Sequence, residues 1–503
     1  MNCLQGFLLF LRSMRINAIV IGSGVGGLAS AIRLAKLGLK VTVFEKNAFI
    51  GGKVHTREFD GYRYDMGPSV FTEPHLVQEL LALGVNQDSF AYHALPESFR
   101  YFYPDGSRHT LPTGMEATRD VLVEEFNEDP IRVHTYLKRL KKNYEVLKPV
   151  FIETTLHRFS HLFNKRLIPA ILNIPKYGLM TTMDAFSKRF FKNPKSVQLM
   201  NRFATYNGSD PYKTPGLLSI IGHLEFNEGI YFPKGGMVSI TQSLAAAARS
   251  LGVEFQLDTP VQSIDVKNDR VVGVHTSHSF HAASIVVSNA DAHFTYEQLM
   301  PHVKRPSKLL RQELSSSAVV FYWGVKQTFE ELGVHNIFFS EDYRSEFKAI
   351  FETKTMVDDP TIYVHISSKA EPSDAPAGCE NWFVMVNAPV HVGQDWKSMV
   401  AKIRTDILRK LNRMLGVDVG SLIATEYVND PVKLQQVYNG KGGSIYGNSS
   451  NSAMAAFYRH PNHAPGVKGL YFAGVTVHPG GGIPLALNGA KIVERMVKED
   501  YSL

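Results

Sequence analysis

Gly22-Ser23-Gly24-Val25-Gly26-Gly27 lies where a short apolar run meets a helical pattern, and no other feature of the chain constrains its folding as tightly. Residues 16–21 read as a buried strand, because 18–21 is apolar without polar alternation and then meets glycine. From 27 to 37, Leu28, Ala31, Ile32 and Ala35 recur at helical spacing, and Gly38 stands where a C-terminal cap is expected. Residues 41–44 form a second buried strand, completing a parallel β-α-β unit of about 30 residues. In that setting G-x-G-x-x-G is a dinucleotide fingerprint. Gly22 permits the tight turn, Gly24 lets the backbone approach a pyrophosphate, and Gly27 lets helix and strand pack closely. The helix N-terminus offers free amides and the positive end of its dipole to the phosphates. Glu45 follows the second strand, near the offset of about 20 residues at which an acid accepts hydrogen bonds from ribose hydroxyls.

The chain has 503 residues, of which 44% are hydrophobic and 20% charged, so a packed protein is expected and disorder or coiled coil is excluded. That length predicts two domains, or a nucleotide domain with large insertions. Cys3 and Cys379 cannot supply a disulfide framework or a cysteine metal cluster, which suits a reducing cytoplasm. No apolar run approaches the roughly 18 residues needed to cross a bilayer. Residues 1–13 lack a basic region ahead of their apolar stretch, so they read as an upstream extension before Met14 and not as a signal peptide.

Farther along, 61–65 and 99–103 have the aromatic and turn content of antiparallel hairpins. Helical spacing with few glycines marks 121–203 as an α-helical insertion, and the turn-rich 207–215 ends it. A helix over 241–249 leads to strands at 253–257, to a strand pair over 261–274 around Asn268-Asp269, and to a buried strand at 284–287. Segments 318–325, 362–366 and 382–387 are β-branched and aromatic, which predicts a second sheet. The chain closes with a strand at 470–473, a glycine loop, and a helix over 485–497.

Lys46 follows Glu45, and Gly51-Gly52-Lys53 adds a second glycine pair with a cation placed to meet phosphate. Here the sequence resembles the flavin-dependent amine oxidase and desaturase superfamily. The segment from Gly469 to Pro484, which contains Gly474 and His478-Pro479-Gly480-Gly481-Gly482-Ile483-Pro484, is similar to the signature of bacterial-type carotenoid desaturases, the phytoene desaturase family. Asp65-Met66-Gly67-Pro68-Ser69 and Tyr231-Phe232-Pro233-Lys234-Gly235-Gly236-Met237 resemble two further segments of that family. The texture around Gly52-Lys53 and 67–72 is most like the 1-hydroxycarotenoid 3,4-desaturases. The resemblance implies an α/β protein with a discontinuous Rossmann-type FAD-binding domain (15–85, 225–315, 455–503). It also implies a mixed-sheet substrate domain (86–140, 316–454) and a helical, membrane-facing insertion (141–224). It implies FAD as cofactor, a loop of Gly480, Gly481, Gly482, Ile483 and Pro484 that gives the flavin ring backbone donors and close approach, and a backbone contact from Val261 to adenine; simple strand packing explains Val261 equally well.

Making a double bond removes hydride from one carbon and a proton from its neighbour. In a polyene the resulting cation is delocalised, so a weak base suffices. His478 and Glu225 are the candidate acceptors, against a loop-capping hydrogen bond for the first and a solvated helix end for the second. His157 and His161 with Glu153 share one helical face, but cations crowd them and the H-E-x-x-H acid is missing, so no metal site is expected. Between 148 and 195 nine cations face two anions, a surplus equal to the whole chain's +7, and large apolar residues lie among them. That pattern fits helices in an anionic membrane interface better than a nucleic-acid surface. The expected partners are a carotenoid substrate, a membrane surface met peripherally from the cytoplasm, and quinone or oxygen as electron acceptor. The competing functions are a phytoene desaturase, a carotenoid isomerase or saturase, and a non-redox lipid carrier related to GDP-dissociation inhibitors.

Overall fold

Strand Asn17–Ile21 pairs in parallel with Lys40–Phe44 on one side and with Ile285–Ser288 on the other. Leu470–Phe472 and Glu254–Gln256 extend the sheet to five strands, all parallel, with Leu470–Phe472 and Glu254–Gln256 at its edges. The structure, a computed structural model, describes residues 16–84, 90–155, 157, 158, 167–455 and 458–503. The expected extension 1–13, His161 and residues 159–166 of the basic stretch lie outside the described residues.

These strands are apolar without alternation because both faces are covered. One face buries Ala18, Val20, Val43 and Val287 under helices Val25–Lys36, Val238–Ser250 and Ile483–Tyr501. The other buries Ile19, Ile21, Phe44 and Val286 under the antiparallel sheet of Val261–Lys267, Arg270–Thr276 and Phe280–Ala282. The first helix starts at Val25, two residues before its expected start, because Gly26 and Gly27 form its first turn.

The second sheet is mixed and has seven strands, in the order Ile423–Asn429, Ser317–Val325, Glu380–Ala388, Ile362–Ile366, His335–Phe338, Glu97–Phe102 and Arg108–Pro112. Only the pairing of His335–Phe338 with Glu97–Phe102 is parallel. Its outer face packs on Trp396–Leu415, a helix the strand-directed sequence reading does not anticipate. Asp395 caps that helix through Ser398 N, and Ile403, Ile407, Leu411 and Leu415 repeat at four-residue spacing, a signal legible in retrospect.

The predicted helical region contains Pro130–Leu147, capped by Asp129, then Leu167–Leu172, Met183–Ser187 and Pro194–Asn201. Its charge surplus is smaller than counting suggested. Lys148 pairs with Glu73, Arg158 with Glu499 and Asp500, and Lys195 with Asp105, all anions from outside the stretch.

Candidate active site

A cavity of about 630 Å³ runs from the Gly22 turn to a wall of Leu147, Leu217, Ile221, Ile337, Phe383 and Met385. Its polar end is built mostly from backbone. Gly22, at φ +92°, turns the chain out of the first strand, and a Cβ on Gly27 would lie 2.0 Å from the Gly22 carbonyl oxygen. A Cβ on Gly26 would lie 2.9 Å from Gly474 N, so the two ends of the chain meet at these glycines. Helix Val25–Lys36 has Gly24 as N-cap and helix Ile483–Tyr501 has Gly482; neither has a side-chain cap, and both starts line the cavity. Each leaves first-turn amides for an acceptor supplied from outside the helix.

Glu45 is buried beside this end. Its carboxylate accepts from Ser23 N and Oγ, both at 2.8 Å, and from Asn47 N and Nδ2, both at 2.9 Å. Lys46 lines the cavity, and its ammonium donates to Gln436 O and Asn439 Oδ1 at the end of helix Pro431–Tyr438. Lys53 is half-buried and donates to Ile445 O at 2.7 Å. Burial pushes its pKa down to about 8, against the opposing charge of Asp291. Gly52 comes so close to the first glycine turn that a Cβ would lie 3.1 Å from Gly24 Cα. The two middle motifs also meet, since Asp65 accepts from Met237 N at 2.9 Å. Pro68 and Ser69 line the cavity, and Ser69 Oγ shares a 2.7 Å hydrogen bond with Tyr363 OH, which in turn bonds His335 Nδ1. Val261 begins its strand at the cavity edge.

The two proposed proton acceptors differ sharply. His478 is buried in the cavity wall, and its Nε2 lies 2.9 Å from Thr154 O. A carbonyl only accepts, so Nε2 carries the proton and Nδ1 holds the lone pair. Burial, assisted by the nearby His157 and Arg459, lowers its pKa to about 4. Glu225 is not a solvated helix end. It forms a buried ion pair with Arg202 at 2.7 Å and accepts from Tyr101 OH and Tyr206 OH as well. Both oxygens are doubly engaged, which leaves no lone pair for a proton. Sequence reasoning missed Arg202 and Tyr206, which sit far in sequence from any motif; only the strand and helix packing brings them to Glu225.

A dinucleotide fits the glycine-lined end on these grounds: uncapped helix starts, space held open by missing side chains, and an acid at the second strand. Residues 25–493 match the family model of flavin containing amine oxidoreductases. The chain belongs to this family. It is accordingly a flavin-dependent oxidoreductase with FAD as cofactor, which sets aside the non-redox lipid carrier. The flavoenzyme is 47% identical over 481 residues to the 1-hydroxycarotenoid 3,4-desaturase of Flavobacterium sp. (strain P99-3), covering 95% of this chain and 98% of that protein. It is 29% identical to the phytoene desaturase of Fusarium fujikuroi, covering 97% of this chain and 90% of that one. With the 4,4'-diapolycopene oxygenase of Methylomonas sp. it shares 32% identity, over 96% and 98% of the two chains. Among solved structures, cyclohexylamine oxidase from Brevibacterium oxydans IH-35A superposes with a TM-score of 0.63 at 14% identity, over 97% and 100% of the chains, which shows the shared fold.

Buried neutral histidines make the fold of this oxidoreductase acid-sensitive. Burial lowers His365 and His478 to about 4 and His460 to about 3, from 6.5. The folded rings therefore bind protons more weakly than the unfolded chain does. Their contribution is complete above pH 6.5 and is lost as pH falls toward 4. With about 1.4 kcal/mol at stake for each tenfold difference in proton affinity, thermal denaturation is expected to show several kcal/mol of lost stability across that window. A Tm that stays level there would contradict it.

Proposed function

We propose that this flavoenzyme is a carotenoid desaturase that introduces the 3,4 double bond into a 1-hydroxycarotenoid. The observation that carries the reading is a single cavity, glycine-lined and amide-rich at one end and apolar at the other. The 47% identity to a 1-hydroxycarotenoid 3,4-desaturase supports it over phytoene desaturation, isomerisation or saturation. In this reading 15–85, 225–315 and 455–503 hold the cofactor, and 86–140 with 316–454 hold the substrate.

Gly22, Gly24 and the amides that follow hold the pyrophosphate, Glu45 meets the ribose by exchanging one of its bonds from Ser23 or Asn47 for a ribose hydroxyl, and the Val261 backbone holds the adenine. Gly26 and Gly27 close the packing behind them. Gly52, Lys53, Pro68 and Ser69 flank the cofactor, while Gly474, Gly482, Ile483 and Pro484 supply the surface for the ring. When bound, FAD would supply the two-electron oxidation, as hydride acceptor for a substrate carbon. His478 Nδ1 accepts the proton from the neighbouring carbon; its low basicity is adequate for so acidic a proton, and it is in its base form at neutral pH. The electron acceptor is a quinone or oxygen. Co-expression in cells that make either phytoene or 1-hydroxycarotenoids tests the reading. A pigment red-shift only with the hydroxylated substrate is expected, and a shift only with phytoene would overturn it.

A long hydrocarbon reaches the enzyme from a membrane, and we propose that the chain meets one peripherally, on the cytoplasmic side, through helix Leu167–Leu172. Ile168, Ile171 and Leu172 are 59%, 57% and 74% exposed there. Leu167 and Ala170 share a small apolar cluster with Leu147, which lines the cavity. Among the described residues no helix is long and apolar enough to cross a membrane. Replacing Ile171 and Leu172 by Glu is expected to lower liposome binding by about tenfold or more, measured by co-sedimentation. Undiminished binding would remove this helix from the contact.

A further inference from the structure

Arg202 and Glu225 pose a question that a hydrocarbon cannot answer. Both line the same cavity as Leu217, Ile221 and Ile337. A buried ion pair in an apolar wall is costly to desolvate and is weak evidence for stability. Four rings surround the guanidinium, with Phe99 and Phe203 centroids at 4.3 and 4.6 Å and those of Tyr101 and Tyr206 at 5.4 and 5.5 Å.

The hydrogen bonding is unbalanced in a particular direction. An arginine has five N–H donors. Nη2 donates to Tyr101 OH and to both Glu225 oxygens, and Nη1 donates to Tyr206 OH at 3.3 Å. Nε is buried with no acceptor. The Glu225 carboxylate has no lone pair left to offer. Tyr206 gives its proton to Glu225 and accepts once, so its oxygen retains one lone pair. Tyr206 is half-buried in the cavity wall. The cluster thus has surplus donors and, on the cavity wall, the acceptor position of Tyr206, which an alcohol satisfies and an alkane does not.

Its location suits the substrate. Phe99, against Arg202, also packs against Tyr363, which bonds Ser69 in the motif that borders the cofactor end. In a 1-hydroxycarotenoid one methylene separates the hydroxyl-bearing carbon from the 3,4 bond, so the group that reads the hydroxyl must lie close to the reacting carbons. We infer that the Arg202–Glu225–Tyr206 cluster is the recognition site for the tertiary hydroxyl of the substrate, with Arg202 donating to its oxygen and Tyr206 accepting its proton. The inference rests on the desaturase reading above. It makes Arg202 and Tyr206 the residues that select a hydroxylated end group over a hydrocarbon one.

Steady-state kinetics of the FAD-loaded enzyme on two carotenoids that differ only in the 1-hydroxyl test it. The parent enzyme is expected to favour the hydroxylated substrate by at least about a hundredfold in kcat/KM. Tyr206→Phe is expected to reduce that ratio by about tenfold, through a raised KM for the hydroxylated substrate with kcat largely held. An unchanged ratio in a folded Tyr206→Phe enzyme overturns the assignment. If that variant does not fold, the parent enzyme decides alone: equal kcat/KM on the two substrates overturns the assignment while leaving the desaturase reading intact. Turnover of neither substrate overturns both.

Discussion

Glu225→Leu is expected to cost about 3–5 kcal/mol of stability, since it strands the charge of Arg202, 4% exposed, inside the protein. Arginine cannot shed its proton to escape, because it stays charged in proteins. The double replacement Arg202→Met with Glu225→Leu is expected to recover most of the loss, as it removes both charges and restores apolar contacts with Phe99 and Phe203. Chemical denaturation of the three proteins measures this. Equal stability of the single variant and the parent would mean that the pair carries no energetic weight. The comparison also separates two roles for Glu225. A catalytic base would lose turnover with its fold intact, whereas an ion-pair partner loses the fold first.

Turnover by His478→Ala is expected to fall by about 10²–10⁴, with the bound flavin spectrum unchanged. His478→Gln sharpens the test. Gln can keep a donor for the Thr154 carbonyl but has no basic nitrogen, so an equal loss assigns the effect to the lone pair and not to the wall contact. Because burial holds the imidazole near 4, the pH profile of the parent enzyme is expected to show no acid limb near 6.5 from this group. Full turnover in either variant would take His478 out of the chemistry.

Much of the cofactor end was legible in the chain as written. Local patterns carry it: an apolar strand without alternation, three glycines whose missing side chains are a covalent fact, a helix of 3.6-residue period and an acid one strand later. The C-terminal glycine loop was legible for the same reason, and the structure brings Gly474 against Gly26. The partners of Lys46 were not legible, because Gln436 and Asn439 reach its ammonium only once helix Pro431–Tyr438 is folded beside it. The basic stretch was overcounted because Glu73, Glu499 and Asp500 reach it from remote parts of the chain.

The order of residues is enough to specify a dinucleotide turn and a greasy, strand-rich second half, since both depend on neighbours within a few positions. It cannot specify which buried charges meet. Tyr101 comes from a strand, Arg202 and Tyr206 from one helical turn and Glu225 from another, and the three elements converge. The state of His478 depends on a carbonyl from Thr154, supplied by a distant stretch. Solvation and partnering decide what an ionisable group can do, and both are properties of packing.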